Sequence, residues 1–299
     1  MARIGLITTD PAARGHEDGD IEPLRRALAE RGEDCDILVW HEEQPWAQYD
    51  ALVLRSPWDY PARLPDFRGW LDRLEESGAR LLNPPPLVRW NLDKRYLEDL
   101  RGITVIPTVY CDELSGAAEE LAARGSAAVV LKPTVSGGSR STGLFQDDDP
   151  AALALAREIL RGGTEIMIQP AIPELAAGAE RGLFLIDGEL SHAISKGAIL
   201  QPGGGYLGGT YTEAIAPVEP SGAERECAAA ALASVRALSR ERGWGADAEE
   251  PLYARIDVVS TPAGVLLIEA ELIEPSLFLQ EVPSAIGRVA DAIQRRTRG

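Results

Sequence analysis

The acids and single arginine of residues 252–259 and 265–272 are spaced to hold a metal ion. The two stretches have the pattern of an antiparallel hairpin turning through 260–264. Side chains alternate along a strand, so Tyr253, Arg255, Asp257 and Val259 share one face. Leu267, Glu269 and Glu271 share a face of the partner strand, and Leu266, Ile268, Ala270 and Leu272 take the other. One register gathers Asp257, Glu269 and Glu271 beside Arg255. Converging carboxylates repel unless cations sit among them, and hard oxygen ligands suit Mg²⁺ that is holding phosphates. A solvated polar hairpin face produces the same alternation about as well. What tilts the balance towards a metal is that one arginine cannot neutralise three acids.

A second group begins at Lys132, which leaves a strand at 127–132 through Pro133 into a loop at 134–143. That loop holds Ser136-Gly137-Gly138-Ser139 and Ser141-Thr142-Gly143. Small residues with exposed backbone N–H groups cradle anions. A third segment, Gln169-Pro170-Ala171-Ile172, could offer backbone groups to a purine edge, with Glu174 free for ribose hydroxyls. A plain linker accounts for it more simply. Residues 203–208 match GxGxxG, but no helix opens after them, so the dinucleotide-binding reading fails on context. With Arg181, the 203–209 glycine loop is instead a candidate for substrate contact.

Composition removes other functions. The chain has 299 residues, 45% apolar and 26% charged, with a formal net charge of −17. Such a surface gives counterion release nothing to work with, so nucleic acid is not an expected partner, and an anionic membrane is disfavoured too. Cys35, Cys111 and Cys227 are far apart and suit small buried hydrophobes better than a disulfide or thiolate site. His16, His41 and His192 are too scattered to form a zinc set. Trp58, Trp70 and Trp90 fit core or interdomain packing. No Walker A sequence, signal-peptide apolar region or 18-residue apolar run occurs, and the expected location is the cytoplasm.

The elements that must position these groups follow from periodicity. Residues 1–90 alternate short apolar runs with helical patterns at 21–31 and 66–76, the rhythm of a parallel α/β sheet. Residues 91–172 read as a compact α+β unit and 173–299 as a third, antiparallel one. A helical pattern covers 87–100, a strand 105–110, and helices 114–124 and 150–160. Asp187-Gly188 between apolar runs marks a hairpin. Ser221 with Glu224 is a capping box opening a helix that Gly243 ends.

In this order the pieces resemble the ATP-grasp superfamily, in its glutathione-synthetase-like branch. The resemblance spans roughly residues 85–280 with motifs, and the N-terminal unit is similar in layout. It implies an N-terminal α/β domain, a lid subdomain, and a C-terminal antiparallel-sheet subdomain that grips ATP against the lid. By that resemblance Lys94, Lys132 and Lys196 contact phosphates, and Ser136, Gly137, Gly138 and Ser139 cover them. Gln169, Pro170, Ala171 and Ile172 form the adenine hinge, with Glu174 near the ribose. Arg255-Ile256-Asp257 resembles the family's Arg-x-Asp, Arg255 stabilising the acyl-phosphate transition state. Glu269-Ala270-Glu271 resembles its metal-binding Glu-x-Asn, with Glu271 departing from Asn.

The implied cofactors are ATP and one or two Mg²⁺ ions, with Mn²⁺ as an alternative ion. The implied partner is a small amino-acid-like substrate, and homo-oligomerisation stays open. Arg55-Ser56-Pro57-Trp58-Asp59-Tyr60, Asn83-Pro84 and Glu271-Leu272-Ile273-Glu274-Pro275-Ser276 are similar to the cyclo-ligases that act on O-ureido-D-serine in D-cycloserine biosynthesis. Rival expectations are an intermolecular amino-acid or peptide ligase and a nucleotide-binding regulator without turnover.

Overall fold

The computed structural model describes residues 1–10, 18–125, 127–138, 140–146, 149–197 and 214–298. The N-terminal part runs β1 (Arg3–Thr8), α1 (Ile21–Glu30), β2 (Asp34–Val39), β3 (Ala51–Ser56), α2 (Leu64–Ser77), β4 (Leu81–Leu82) and α3 (Pro85–Asn91). Its strands form a parallel sheet in the order β2-β1-β3-β4. Every residue of β3 is buried, as befits a central strand of a parallel sheet covered on both faces.

A second sheet has the order β5-β8-β6-β7. It is built from β5 (Val109–Cys111), α4 (Leu114–Ala123), β6 (Val129–Pro133), β7 (Gly143–Phe145), α5 (Pro150–Arg161) and β8 (Ile166–Pro170). The third comprises β9 (Glu180–Ile186), β10 (Glu189–Lys196), β11 (Ile215–Pro217), α6 (Gly222–Arg242), β12 (Tyr253–Thr261) and β13 (Gly264–Glu271), followed by α7 (Ser284–Arg298). Its strand order is β11-β10-β9-β12-β13, all antiparallel.

Local signals hold where the chemistry is strict. Asp187 and Gly188 take φ of 54° and 83°, the turn that joins β9 to β10. The Ser221–Glu224 capping box is complete, and Gly243 ends α6 at φ 66°. Among the tryptophans, Trp70 is sealed in an aromatic cluster with Trp40 and Phe67, and Trp90 packs on Tyr96 and Trp244.

Three expectations shift. The 87–100 helix breaks at Asn91, because the Asp93 side chain accepts from Arg95 N and starts a separate 3-10 turn at Lys94–Glu98. The 105–110 strand begins only at Val109, since Val105 pairs instead with Leu267. The glycine loop ends in β7, where Gly143 pairs with Leu131.

Packing also crosses the boundary expected at residue 90. Leu24 and Leu28 of α1 share one core with Val289 and Ile293 of α7, and with Phe184 and Tyr253 of the third sheet. His192 lies at the edge of this core, stacked on Phe184 with ring centroids 4.2 Å apart and Nε2 2.8 Å from Leu277 O. Burial pulls its pKa down to about 4.

The folded pKa lies below that of the unfolded chain, so His192 adds stability that is full above about pH 6.5 and lost as pH falls towards 4. The loss has an upper bound of roughly 3 kcal/mol. Urea unfolding of the parent and His192→Gln at pH 7 and 4.5 should show a flatter pH dependence in the variant. Parallel losses would remove His192 as the cause.

Candidate active site

The β12–β13 hairpin pairs Arg255 with Glu271 and Asp257 with Glu269, so the acids and the arginine do share one face. The opposite face, with Ile256, Val258, Ala270 and Leu272, packs against α6 through Ala228, Ala231, Leu232 and Val235. A register shift follows Asp257. It puts Leu267 in this core and leaves Ile268 beside Val259 and Ile106, the reverse of strict alternation.

Two asparagines fix the ends of the hairpin. Asn83, at φ 65°, donates to Tyr253 O (3.0 Å) and Leu272 O (2.7 Å) and accepts from Leu252 N (2.7 Å). Asn91 donates to Ala270 O and accepts from Leu272 N, both at 2.8 Å.

Lysines join Arg255 among the acids. Lys196 Nζ reaches both Glu180 Oε1 and Asp257 Oδ2 at 2.8 Å. Arg255 donates Nε to Asp257 Oδ1 (3.0 Å) and Nη2 to Asp257 Oδ2 (2.9 Å), and Nη2 also contacts Glu271. Lys94 Nζ lies 3.2 Å from Glu269 Oε1 and donates to Ser136 O at 3.0 Å. Gly182 of β9 makes room for this packing, since a Cβ there would sit 3.0 Å from Asp257 Oδ1.

The electrostatics separate the carboxylates. Burial acts to raise Asp257, but Arg255 and Lys196 outweigh it and hold the group below its ordinary value. Glu269 is likewise lowered, burial being outweighed by Lys94 and Lys132. Glu271 is pushed up to about 8 by burial and by Glu269 and Asp257, with Arg255 opposing only in part. Burial lowers Lys132, against the pull of Glu269. Of the three hairpin acids, Glu271 is the one left above its ordinary value.

These contacts sort the metal candidates. The Asp257 side chain is 3% exposed and both its oxygens are taken by Arg255 and Lys196, so it is bound up in ion pairs. The side chains of Glu269 and Glu271 keep 23% and 24% exposure. Among the described residues no ready-made cage of three or more His, Cys, Asp or Glu exists. Two accessible carboxylates without a cage suit Mg²⁺, which takes one or two carboxylates and completes its shell with water and substrate phosphates.

Other expected residues lie around this cluster. The Ser136–Gly138 stretch is tied to Lys94, and a Cβ on Gly137 would come within 4.0 Å of Pro61; Ser139 falls outside the described residues, as does the 203–209 loop. Gln169 is buried on β8, donating to Thr108 Oγ1 at 2.8 Å. The Ala171 N–H is already given to Ala128 O, so a purine edge must use other groups of the Pro170–Ile172 backbone. Ile172 packs partly against Ile106 and Val259, and Glu174 sits half-buried in the short turn Pro173–Ala176.

Arg181 does not join them. Glu180 and Gly182 face the acids, so Arg181 points to the reverse side of β9, where it caps Gly178 O and Glu180 O near Glu224. Glu180 and Glu274 were missed by spacing arguments, although the strand alternation of β9 could have found Glu180.

The fold is that of ATP-grasp enzymes. D-alanine–D-alanine ligase from Bacillus anthracis superposes with a TM-score of 0.65 at 16% identity, over 99% of this chain and 97% of that one. A crystal structure of the D-cycloserine synthetase DcsG superposes far better, with a TM-score of 0.87 at 32% identity over 99% of both chains.

In sequence, the cycloserine biosynthesis protein DcsG of Streptomyces lavendulae is 35% identical over 94% of this chain and 95% of its own length. The family model for the N-terminal domain of D-cycloserine synthetase DcsG matches residues 4–83. The chain belongs to the D-cycloserine synthetase family and is an ATP-dependent ligase. No helix among the described residues is long and apolar enough to cross a membrane.

Proposed function

We propose that the protein closes the ring of D-cycloserine by activating the carboxylate of O-ureido-D-serine with MgATP. The observation that carries this is the Arg255–Asp257–Lys196–Glu180 ion-pair chain beside Glu269 and Glu271, in a chain of this family. Such a chain fixes the positions of Arg255 and Lys196, the cationic groups available where a phosphoryl group moves from ATP to a carboxylate oxygen.

The terminal phosphoryl group passes to the substrate carboxylate, giving an acyl phosphate and ADP. The ureido nitrogen bonded to oxygen then attacks the acyl carbon, a C–N bond forms, and inorganic phosphate leaves. Water removes the carbamoyl group as carbon dioxide and ammonia, leaving the ring amide. Nucleophile and electrophile belong to one molecule, so high effective molarity replaces a second substrate site.

The chain's own groups divide the work. Arg255, held in line by Asp257, neutralises charge on the transferring phosphoryl group. Lys94, Lys132 and Lys196 steady the phosphates, and the Ser136–Ser139 loop covers them. The segment from Gln169 to Ile172 receives adenine, with Glu174 at the ribose. Glu269 and Glu271 would hold one or two Mg²⁺ ions, which would supply positive charge against the phosphates. Residues 1–90, 91–172 and 173–299 serve as the N-terminal α/β, lid and metal-bearing units.

ADP should form in step with cycloserine when O-ureido-D-serine and MgATP are the only reactants. A coupled ADP assay that stays silent until a separate amine is added would instead identify an intermolecular ligase.

A further inference from the structure

The cleft contains one carboxylate that none of these roles uses. Glu274 follows β13 by three residues and is 9% exposed. The cations around it are committed elsewhere: Lys94 to Glu269, Lys196 to Glu180 and Asp257, Arg255 to Asp257 and Glu271. The Tyr60 hydroxyl hydrogen-bonds the Glu274 carboxylate, and Lys94 and Glu269 are close enough to act on it electrostatically. Burial holds the Glu274 carboxyl above its ordinary value, and Lys94, the described cation that acts on it, is already paired with Glu269, so ionising it here is costly. Its position therefore calls for a positive charge to arrive.

Side chains from β3 and its following turn hold the backbone around it. Trp58 Nε1 donates to Glu274 O and Arg55 Nη2 to Pro275 O, each at 3.0 Å. The Tyr253 hydroxyl sits 2.6 Å from both Ile273 O and Leu54 O. Glu274 is thus clamped between the C-terminal end of β3 and the end of β13.

A second, independent feature lies on the same clamp. Arg55 is fully buried, yet its Nε and Nη1 have no hydrogen-bond partner. Arg55 holds the Pro275 carbonyl and its charge acts on Asp20, so its open donors lie on the same clamp that carries Glu274. Three residues span at most roughly 10 Å of extended chain, which keeps Glu274 within one small molecule of Glu271.

Resting on the amino-acid substrate proposed above, we infer that Glu274 receives the substrate's α-ammonium. The carboxylate to be phosphorylated points to Arg255 while the ammonium, on the adjacent carbon, points to Glu274. This makes Glu274 the residue that selects an α-amino acid over a plain carboxylic acid.

The test crosses protein and substrate changes. O-Ureido-D-serine and its analogue lacking the amino group are each given to the parent, Glu274→Gln and Glu274→Asp, with ADP release as the readout. The parent should prefer the amino substrate by about 100-fold or more in kcat/KM, as a site built around a missing polar partner does. In Glu274→Gln the preference should shrink to under about tenfold through loss on the amino substrate alone, and Glu274→Asp should keep much of it. The KM for ATP and the Mg²⁺ requirement should not move.

Equal losses on both substrates would reduce Glu274 to a structural role. A shift in Mg²⁺ half-saturation would make it a metal ligand, and either result overturns the inference. A parent that releases no ADP with either substrate would sink the reaction proposed above, whereas turnover with an unaltered preference in Glu274→Gln sinks this inference alone.

Discussion

Replacement of Arg255 by methionine should lower kcat by about 10³-fold or more, the scale seen when a charge-stabilising arginine is withdrawn from a phosphoryl transfer. Arg255 is 7% exposed and serves Asp257 and Glu271 together, so its removal also strips buried acids of their partner. That second effect costs on the order of 3–5 kcal/mol in comparable buried pairs, and thermal unfolding of the same sample will reveal it. Arg255→Lys separates the two contributions. It keeps the charge but loses the planar fork that spans both Asp257 oxygens, so stability should partly recover while kcat remains low. Turnover within tenfold of the parent in either variant would remove Arg255 from the chemistry.

Glu269→Gln should raise the Mg²⁺ concentration for half-maximal activity by roughly tenfold or more and cut turnover by about 10²-fold. The substitution preserves size and hydrogen bonding while leaving Lys94 without its anion. Glu271→Asn is the informative companion, because the ATP-grasp Glu-x-Asn pattern that this stretch resembles has Asn at that position. Activity should remain substantial there, with an altered Mg²⁺ requirement. Mg²⁺ titrations in which both variants match the parent would return the acids to a structural ion-pair network.

Strand alternation and turn chemistry made much of this site legible. That Arg255 and Asp257 share one face of their strand, and Glu269 and Glu271 one face of theirs, follows from period-two reasoning, and the register then pairs Arg255 with Glu271 and Asp257 with Glu269. Alternation failed at Leu267 and Ile268, because a register shift leaves no mark in composition. The same alternation puts Arg181, between Glu180 and Gly182, on the reverse face of β9, away from the acids.

Sequence spacing cannot see contacts made across the fold. The cations that compensate the three acids come from Lys94, 163 positions upstream of Asp257 by numbering, and from Lys132 and Lys196 on other strands. One arginine against three acids was therefore the wrong balance. Glu274 was visible only as part of a motif, since its place depends on Trp58 and Arg55 clamping the segment after β13.

The central claim is that the substrate carboxylate becomes an acyl phosphate, and an isotope settles where the oxygen goes. O-Ureido-D-serine labelled with ¹⁸O in both carboxylate oxygens is turned over with MgATP in unlabelled water, and the inorganic phosphate is analysed by mass spectrometry. One labelled oxygen should appear in phosphate for each cycloserine formed, the other remaining in the ring carbonyl. Phosphate free of label while cycloserine accumulates would contradict the account.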